Sequence, residues 1–220
     1  MYFQFLVEDI SSKELIDAVM AKLSAKYGDL YYRCNSYSGF GGFNKDGNFK
    51  DVKNKKLLNE LPCLLRAFNK SLQKMDNGAA VVIVVDNDDR NTEAFKAQLE
   101  SIAAQNMITI DYVFCIAVEE MEAWLLGDEA AILRAYPQAK LQKLHAYRQD
   151  SICGTWEVLA DVVYPGGYVQ MKKACSTYME IGRWKSKWAS EIGTYLNLSS
   201  NRSPSFCSFL NALESRLSCA

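Results

Sequence analysis

Three carboxylates within four residues, Asp86, Asp88 and Asp89, follow an apolar run from Val81 to Val85. Like charges at that density repel unless a proton or a cation neutralises them. Oxygen donors alone suit a hard divalent ion, Mg²⁺ or Mn²⁺. Two more acidic groups stand behind apolar segments in the same manner: Glu8, after the aromatic and β-branched stretch beginning at Tyr2, and Glu119, Glu120 and Glu122, after the stretch ending at Val118. Glu119 and Glu122 are three residues apart and on a helix would share a face. There they either complete a second metal site or pair with Arg or Lys from later helices, while Glu120 points elsewhere. Asp89 reads as an exposed acid before a helix, and Asp128 as the cap of a helix starting at Glu129.

The acids matter together only if the elements before them are neighbours. Five consecutive branched aliphatics, 81–85, predict a strand buried on both faces, as in the middle of a parallel sheet. Strands are also expected over 2–8, 30–37 and 110–118, and helices over 62–75 and 92–105. Ser11 and Glu14 fit a capping box for a helix whose face is Leu15, Val19 and Leu23. Pro62 suits a first helical turn, and Ser203-Pro204 another. Alternating strands and helices imply right-handed crossovers and an α/β fold with a mainly parallel four-stranded sheet flanked by helices. Ligands in such sheets sit at the carboxyl ends of the strands, where these acids are delivered. Past residue 128 the pattern is helical, including 183–196 and 203–217. The chain divides into an α/β part, 1–128, and a helical extension, 129–220, packed into one unit.

Charge is uneven. Residues 1–129 carry 14 Lys/Arg against 20 Asp/Glu, and residues 130–220 carry 11 against 6, so a net −6 is followed by a net +5. The basic half can attract a polyanion. Lys172, Lys173, Arg183, Lys185 and Lys187, interleaved with Tyr178 and Trp184, form the candidate nucleic-acid surface, with aromatic rings able to stack on unpaired bases. Trp188 belongs with Ile192 and Leu196 as packing. A glycine-rich loop, 38–47, leads into Lys45, Lys50, Lys53, Lys55 and Lys56; its spacing fits no phosphate-loop pattern, and Lys53 and Lys55 are the candidates there for phosphate-backbone contact. The lone histidine, His145, reads as a surface residue, which discounts Ser-His or Cys-His chemistry. Seven cysteines without a CxxC pair predict reduced, packed thiols and no zinc site. No stretch of about 18 apolar residues and no signal-peptide pattern is evident, so a cytoplasmic, membrane-free protein is expected.

Glu8 after the first strand and Asp86-Asn87-Asp88 after a later one resemble the Toprim domain of topoisomerases, primases and overcoming-lysogenization-type nucleases, whose signature is a glutamate plus an Asp-x-Asp pair. The segment from Phe114 to Asp128, with its Glu-x-x-Glu-Ala-Trp-Leu-Leu-x-Asp element, and Asn201 to Phe206 look like an uncharacterised prokaryotic Toprim-like family often encoded beside ATPases, in settings of phage or mobile-DNA defence. The resemblance implies that Asp86 and Asp88 hold Mg²⁺ and that Glu8 is a general acid/base or ligates a second metal. It further implies phosphodiester cleavage in nucleic acid, DNA foremost, with an ATPase as protein partner. Asp9 stands where that family usually has glycine, and its side chain would either crowd a phosphate or add a ligand. Two other readings share the same residues: a non-catalytic module that senses nucleic acid or docks on an ATPase, and a receiver-like phosphoacceptor built on Glu8, Asp9 and Asp86.

Overall fold

A computed structural model describes residues 1–42, 56–75 and 78–218. The four strands are β1 (Tyr2–Val7), β2 (Tyr31–Ser36), β3 (Ala79–Asp86) and β4 (Asp111–Ala117), all parallel and ordered β2-β1-β3-β4. Between them run α1 (Ile10–Tyr27), α2 (Leu57–Leu72) and α3 (Thr92–Gln105). β1 and β3 are the central pair, and their register sets Val7 opposite Val84, which places Glu8 and Asp86 at the same end of adjacent strands.

Pleating sends alternate residues to opposite faces, and both faces are covered. Phe3, Phe5, Val7, Val82 and Val84 join a core with α1 and the later helices, while Leu6, Val81, Ile83 and Val85 join a second core with α2 and α3. This explains why β3 is apolar throughout. Asp86 continues the Val82–Val84 side, and Glu8 continues the Leu6 side.

The helical remainder comprises α4 (Glu122–Leu126), α5 (Glu129–Ala135), α6 (Leu141–Ala146), α7 (Thr155–Val163), α8 (Gly167–Ala174), α9 (Tyr178–Tyr195) and α10 (Pro204–Leu217). No further strand occurs among the described residues. α9 packs along α1, and α10 covers β4, where Arg216 grips Asp111 through Nε and Nη2 at 2.6 and 2.7 Å. Trp124 anchors the junction. Fully buried, it stacks on Phe209 at 4.7 Å and donates its indole N–H to Ser205 Oγ at 2.8 Å. One buried cluster thus runs from β1 through Trp124 and Trp188 to Phe206 and Leu213.

Three helix starts differ from the sequence expectation. Asp9, not Ser11, caps α1: its Oδ1 accepts the Ser12 N–H at 2.8 Å, and Ser11 Oγ donates to it as well. The Asp9 carboxyl group, two residues beyond the strand end, outcompetes a hydroxyl for the exposed N–H groups. α2 begins at Leu57, five residues before Pro62, because Leu57, Leu58 and Leu61 already have buried sites to fill. α9 begins at Tyr178 through a Thr177–Glu180 capping box and not near Arg183. The cysteines are less buried than expected: of the described ones only Cys115 is buried, and all are free. No helix among the described residues is long and apolar enough to cross a membrane.

Candidate metal centre

The carboxyl ends of β1 and β3 carry the site. On one side lies an open cleft of about 750 Å³ lined by Glu8, Gly39 to Gly42, Lys56, Asp88, Arg90, Asn91 and Phe95. Main-chain bonds fix its rim: Gly39 donates to the Glu8 carbonyl at 2.9 Å, and Leu58 donates to the Phe40 carbonyl at 2.8 Å. Gly41 needs to be glycine, since its φ is 97° and a Cβ there would stand 2.9 Å from Lys56 Cβ. Lys56 Nζ bonds the Ser38 carbonyl. The guanidinium of Arg90 lies 4.9 Å from the Phe95 ring and 5.7 Å from that of Phe40, and it pairs with Asp88 Oδ2. The two rings themselves meet edge to face at 5.3 Å.

Glu8 and Asp86 are the two acids brought together. Burial raises the Glu8 carboxyl to about 7, with Asp88 and Asp9 adding to it, while the main chains of Phe40 and Asp86 pull against the rise. Asp86 is raised well above the usual carboxylate range, first by burial and then by Glu8, with Lys185 opposing. Asp88 sits at φ 50° with its N–H bonded to the Glu119 carbonyl at 2.9 Å, and its side chain is half exposed beside Glu8. Asp89 is exposed, as expected.

The third acidic group is arranged differently from the sequence expectation. Glu119 is not helical; it sits at φ 61°. Its carboxylate turns away from Glu122 to accept the N–H groups of Cys153, Gly154 and Thr155 at 2.7 to 3.0 Å, together with the Thr155 hydroxyl. These bonds hold its pKa below the usual value in spite of burial. Glu119 therefore caps α7, where the helix N-terminus favours negative charge, and does not join Glu122 in a second metal site. Glu122 is 3% exposed and faces Lys185 Nζ at 3.2 Å, and Glu120 faces the same ammonium at 3.7 Å. Glu120 does not point elsewhere, then; burial and the adjacent Glu122 push its carboxyl up to about 8.

Lys185 accordingly leaves the proposed nucleic-acid surface. Its position three before Trp188 and seven before Ile192 puts it on the buried face of α9. That spacing was the signal that could have revealed it. The remaining basic residues are outside. Lys172 and Lys173 are exposed on α8, as is Arg183 on α9, while Lys187 lies over the Trp184 ring at 4.8 Å and 3.9 Å from Glu191. Trp184 packs edge-on to Tyr164, which removes it as a stacking platform, whereas Tyr178 is 92% exposed. Lys53 and Lys55 lie outside the described residues. Asp128 caps α5 through Ala131 N–H and also accepts Asn197 N–H at 2.7 Å, and His145 is a surface residue 3.0 Å from Glu129. Nothing in the sequence pattern marked Arg90 or Phe40; their pairing arises from loops that meet only across the sheet edge.

A hard cation suits this donor set in chemistry. Mg²⁺ keeps several waters and often takes only one or two protein carboxylates plus substrate phosphate, and Glu8 with Asp86 offers two that repel each other. Among the described residues no three His, Cys, Asp or Glu side chains form a ready metal cage. Asp88 meets Arg90 through Oδ2.

Comparison with curated proteins and with solved structures gives no match. Residues 7–214, which run from the end of β1 through the other three strands, both sides of the acidic centre and nearly all of the helical extension, match the family described as Domain of unknown function (DUF4276), and the chain belongs to that family.

Proposed function

We propose that this chain is a Mg²⁺- or Mn²⁺-dependent phosphodiester-cleaving protein of Toprim type acting on nucleic acid. The observation that carries the reading is the arrival of Glu8 and Asp86 at the ends of adjacent parallel strands, where burial raises both carboxyls, Glu8 adds to the rise at Asp86, and Asp88 adds to the rise at Glu8. Glu8 and Asp86 would hold the ion, joined by Asp88. A divalent ion bound there supplies charge neutralisation at a phosphoryl oxygen and acidifies water. Glu8, whose carboxyl sits at about 7 without metal, would give up its proton as the ion binds, so affinity for the ion should rise with pH. Arg90, buttressed by Phe40 and Phe95, is placed to receive a phosphate once Asp88 is engaged elsewhere. Exposed Lys172, Lys173, Arg183 and Lys187 would add phosphate contacts that are independent of base sequence. The resemblance to a family encoded beside ATPases extends the reading to a defence role with an ATPase partner.

The test is incubation of the full chain with plasmid and single-stranded DNA in Mg²⁺ or Mn²⁺, alone and with the neighbouring ATPase. Cleavage lost in Glu8→Gln and Asp86→Asn supports the proposal; absence of metal-dependent cleavage in every combination removes it. A non-catalytic nucleic-acid-sensing module is the second reading. It is favoured by the ion pairs Asp88–Arg90 and Glu122–Lys185, which neutralise two of the acids with no metal at all. Nucleic-acid binding that survives Glu8→Gln, without cleavage by the wild type, would select it.

A further inference from the structure

The helical extension sends one charged side chain into the acidic centre. Lys185 leaves the buried face of α9 with 15% of its side chain exposed, and its ammonium stands 3.2 Å from Glu122 Oε2 and 3.7 Å from Glu120 Oε1. The Lys185 ammonium is the cation that faces the buried Glu122 carboxylate, and it favours the charged form of that acid against burial. The same ammonium acts on Asp86 and Asp9. Asp86 links this inner group to Glu8 and the open cleft. Four acids, Asp9, Asp86, Glu120 and Glu122, thus share one internal cation, and Glu8 adjoins the group through Asp86.

Desolvating an ammonium is costly unless carboxylates surround it, and a compact ammonium presents a point charge much as a small metal ion does. In two-metal phosphoryl-transfer sites the ions sit side by side and divide the carboxylates between them. Here the inner carboxylates are already taken. Glu119, which the sequence offered as a partner for Glu122 in an inner cage, is committed to the Cys153–Thr155 amides.

We propose that Lys185 is a built-in counter-cation occupying the second cation position of the acidic centre, so that the chain binds one divalent ion, at Glu8 and Asp86, and not two. The inference rests on the metal-dependent reading above and adds its stoichiometry. It also gives the helical extension a chemical role, because the neutralising charge arrives from α9, cannot be removed by a chelator, and ties the inner half of the site to the packing of α9 on α1.

The experiment counts Mn²⁺ bound to the full chain, without nucleic acid, near pH 8, by titration calorimetry and by the spin-resonance signal of free Mn²⁺. The wild type should bind one ion, and Asp86→Asn should lose it. Lys185→Met should bind two, returning to one in the Lys185→Met/Glu122→Gln double variant. Two ions on the wild type, or one on a folded Lys185→Met, overturn this inference and leave the metal-dependent reading standing. No ion on the wild type overturns both. Should Lys185→Met fail to fold by circular dichroism, Lys185→Arg decides with the wild type, since a retained cation must keep the count at one and a count of two overturns the inference.

Discussion

Replacing Glu8 by Gln should stabilise the metal-free protein at alkaline pH. The Glu8 carboxyl stands at about 7 in the folded chain against an ordinary 4.5, because of burial and then the charges of Asp88 and Asp9. A carboxyl with a raised folded pKa binds its proton more tightly when folded. Its contribution is therefore complete below the unfolded value and is lost as pH rises through about 7. At about 1.4 kcal/mol per pH unit, the rise from 4.5 to about 7 sets an upper limit of ~3.5 kcal/mol on the loss. Asp86 shares the strain, since its own carboxyl is raised by Glu8; neutralising Glu8 relieves both, and a net gain of ~1–3 kcal/mol is expected at about pH 8. The amide introduced by Glu8→Gln keeps an acceptor for the main-chain donors of Phe40 and Asp86, so the substitution removes charge and little else. Urea unfolding followed by tryptophan fluorescence, in chelator, at about pH 5 and about pH 8, measures the difference directly, with equal slopes confirming that the denatured states match. At the lower pH, still slightly above the unfolded value, the two proteins should agree within ~1 kcal/mol. Adding Mg²⁺ at about pH 8 should lift the wild type, by ~2.7 kcal/mol at a hundredfold excess over Kd, and leave the variant nearly unmoved. Parallel stability profiles for wild type and variant across the whole range would show that Glu8 is not held in a raised state, and the reasoning for a strained acid pair would fall.

Glu119→Ala should cost ~1–3 kcal/mol by freeing the N–H groups of Cys153, Gly154 and Thr155, while leaving Mn²⁺ affinity unchanged; a loss of Mn²⁺ binding in a folded variant would return Glu119 to the metal site. Trp124→Ala should destabilise by ~3–5 kcal/mol, through loss of a fully buried ring and its bond to Ser205, read as a shifted urea midpoint. Gly127→Ala should be at least as damaging as an ordinary core change, ~2 kcal/mol or more, because its Cβ would fall 2.0 Å from Asn201 Oδ1 and 2.9 Å from the Ser203 main-chain nitrogen. A variant of wild-type stability would mean that the 201–203 turn can move aside.

The strands and their order of alternation with helices were legible because local chemistry alone marks them. A run such as Val81 to Val85 has one stable setting, a strand covered on both sides, and its abrupt end in Asp86-Asn87-Asp88 locates the sheet edge where ligands gather. Helix α3 was read to the residue, and the Ser203-Pro204 start of α10 and the Asp128 cap of α5 held, since capping depends on residues three apart in the chain. The starts of α1, α2 and α9 were misplaced where two capping residues competed or where a tertiary slot extended the helix.

What the sequence by itself determined is the parallel α/β layout and the arrival of Glu8 and Asp86 at one edge, because pleat period, apolar runs and strand ends are local properties. Tertiary structure decided the use of every other charge. Glu119 was drawn to the amides of a loop more than thirty residues away, Asp88 to Arg90 held between two rings, and Lys185 to acids delivered by β3 and by the turn before α4. Charges act through space over a few ångströms, so their partners depend on how separate elements pack.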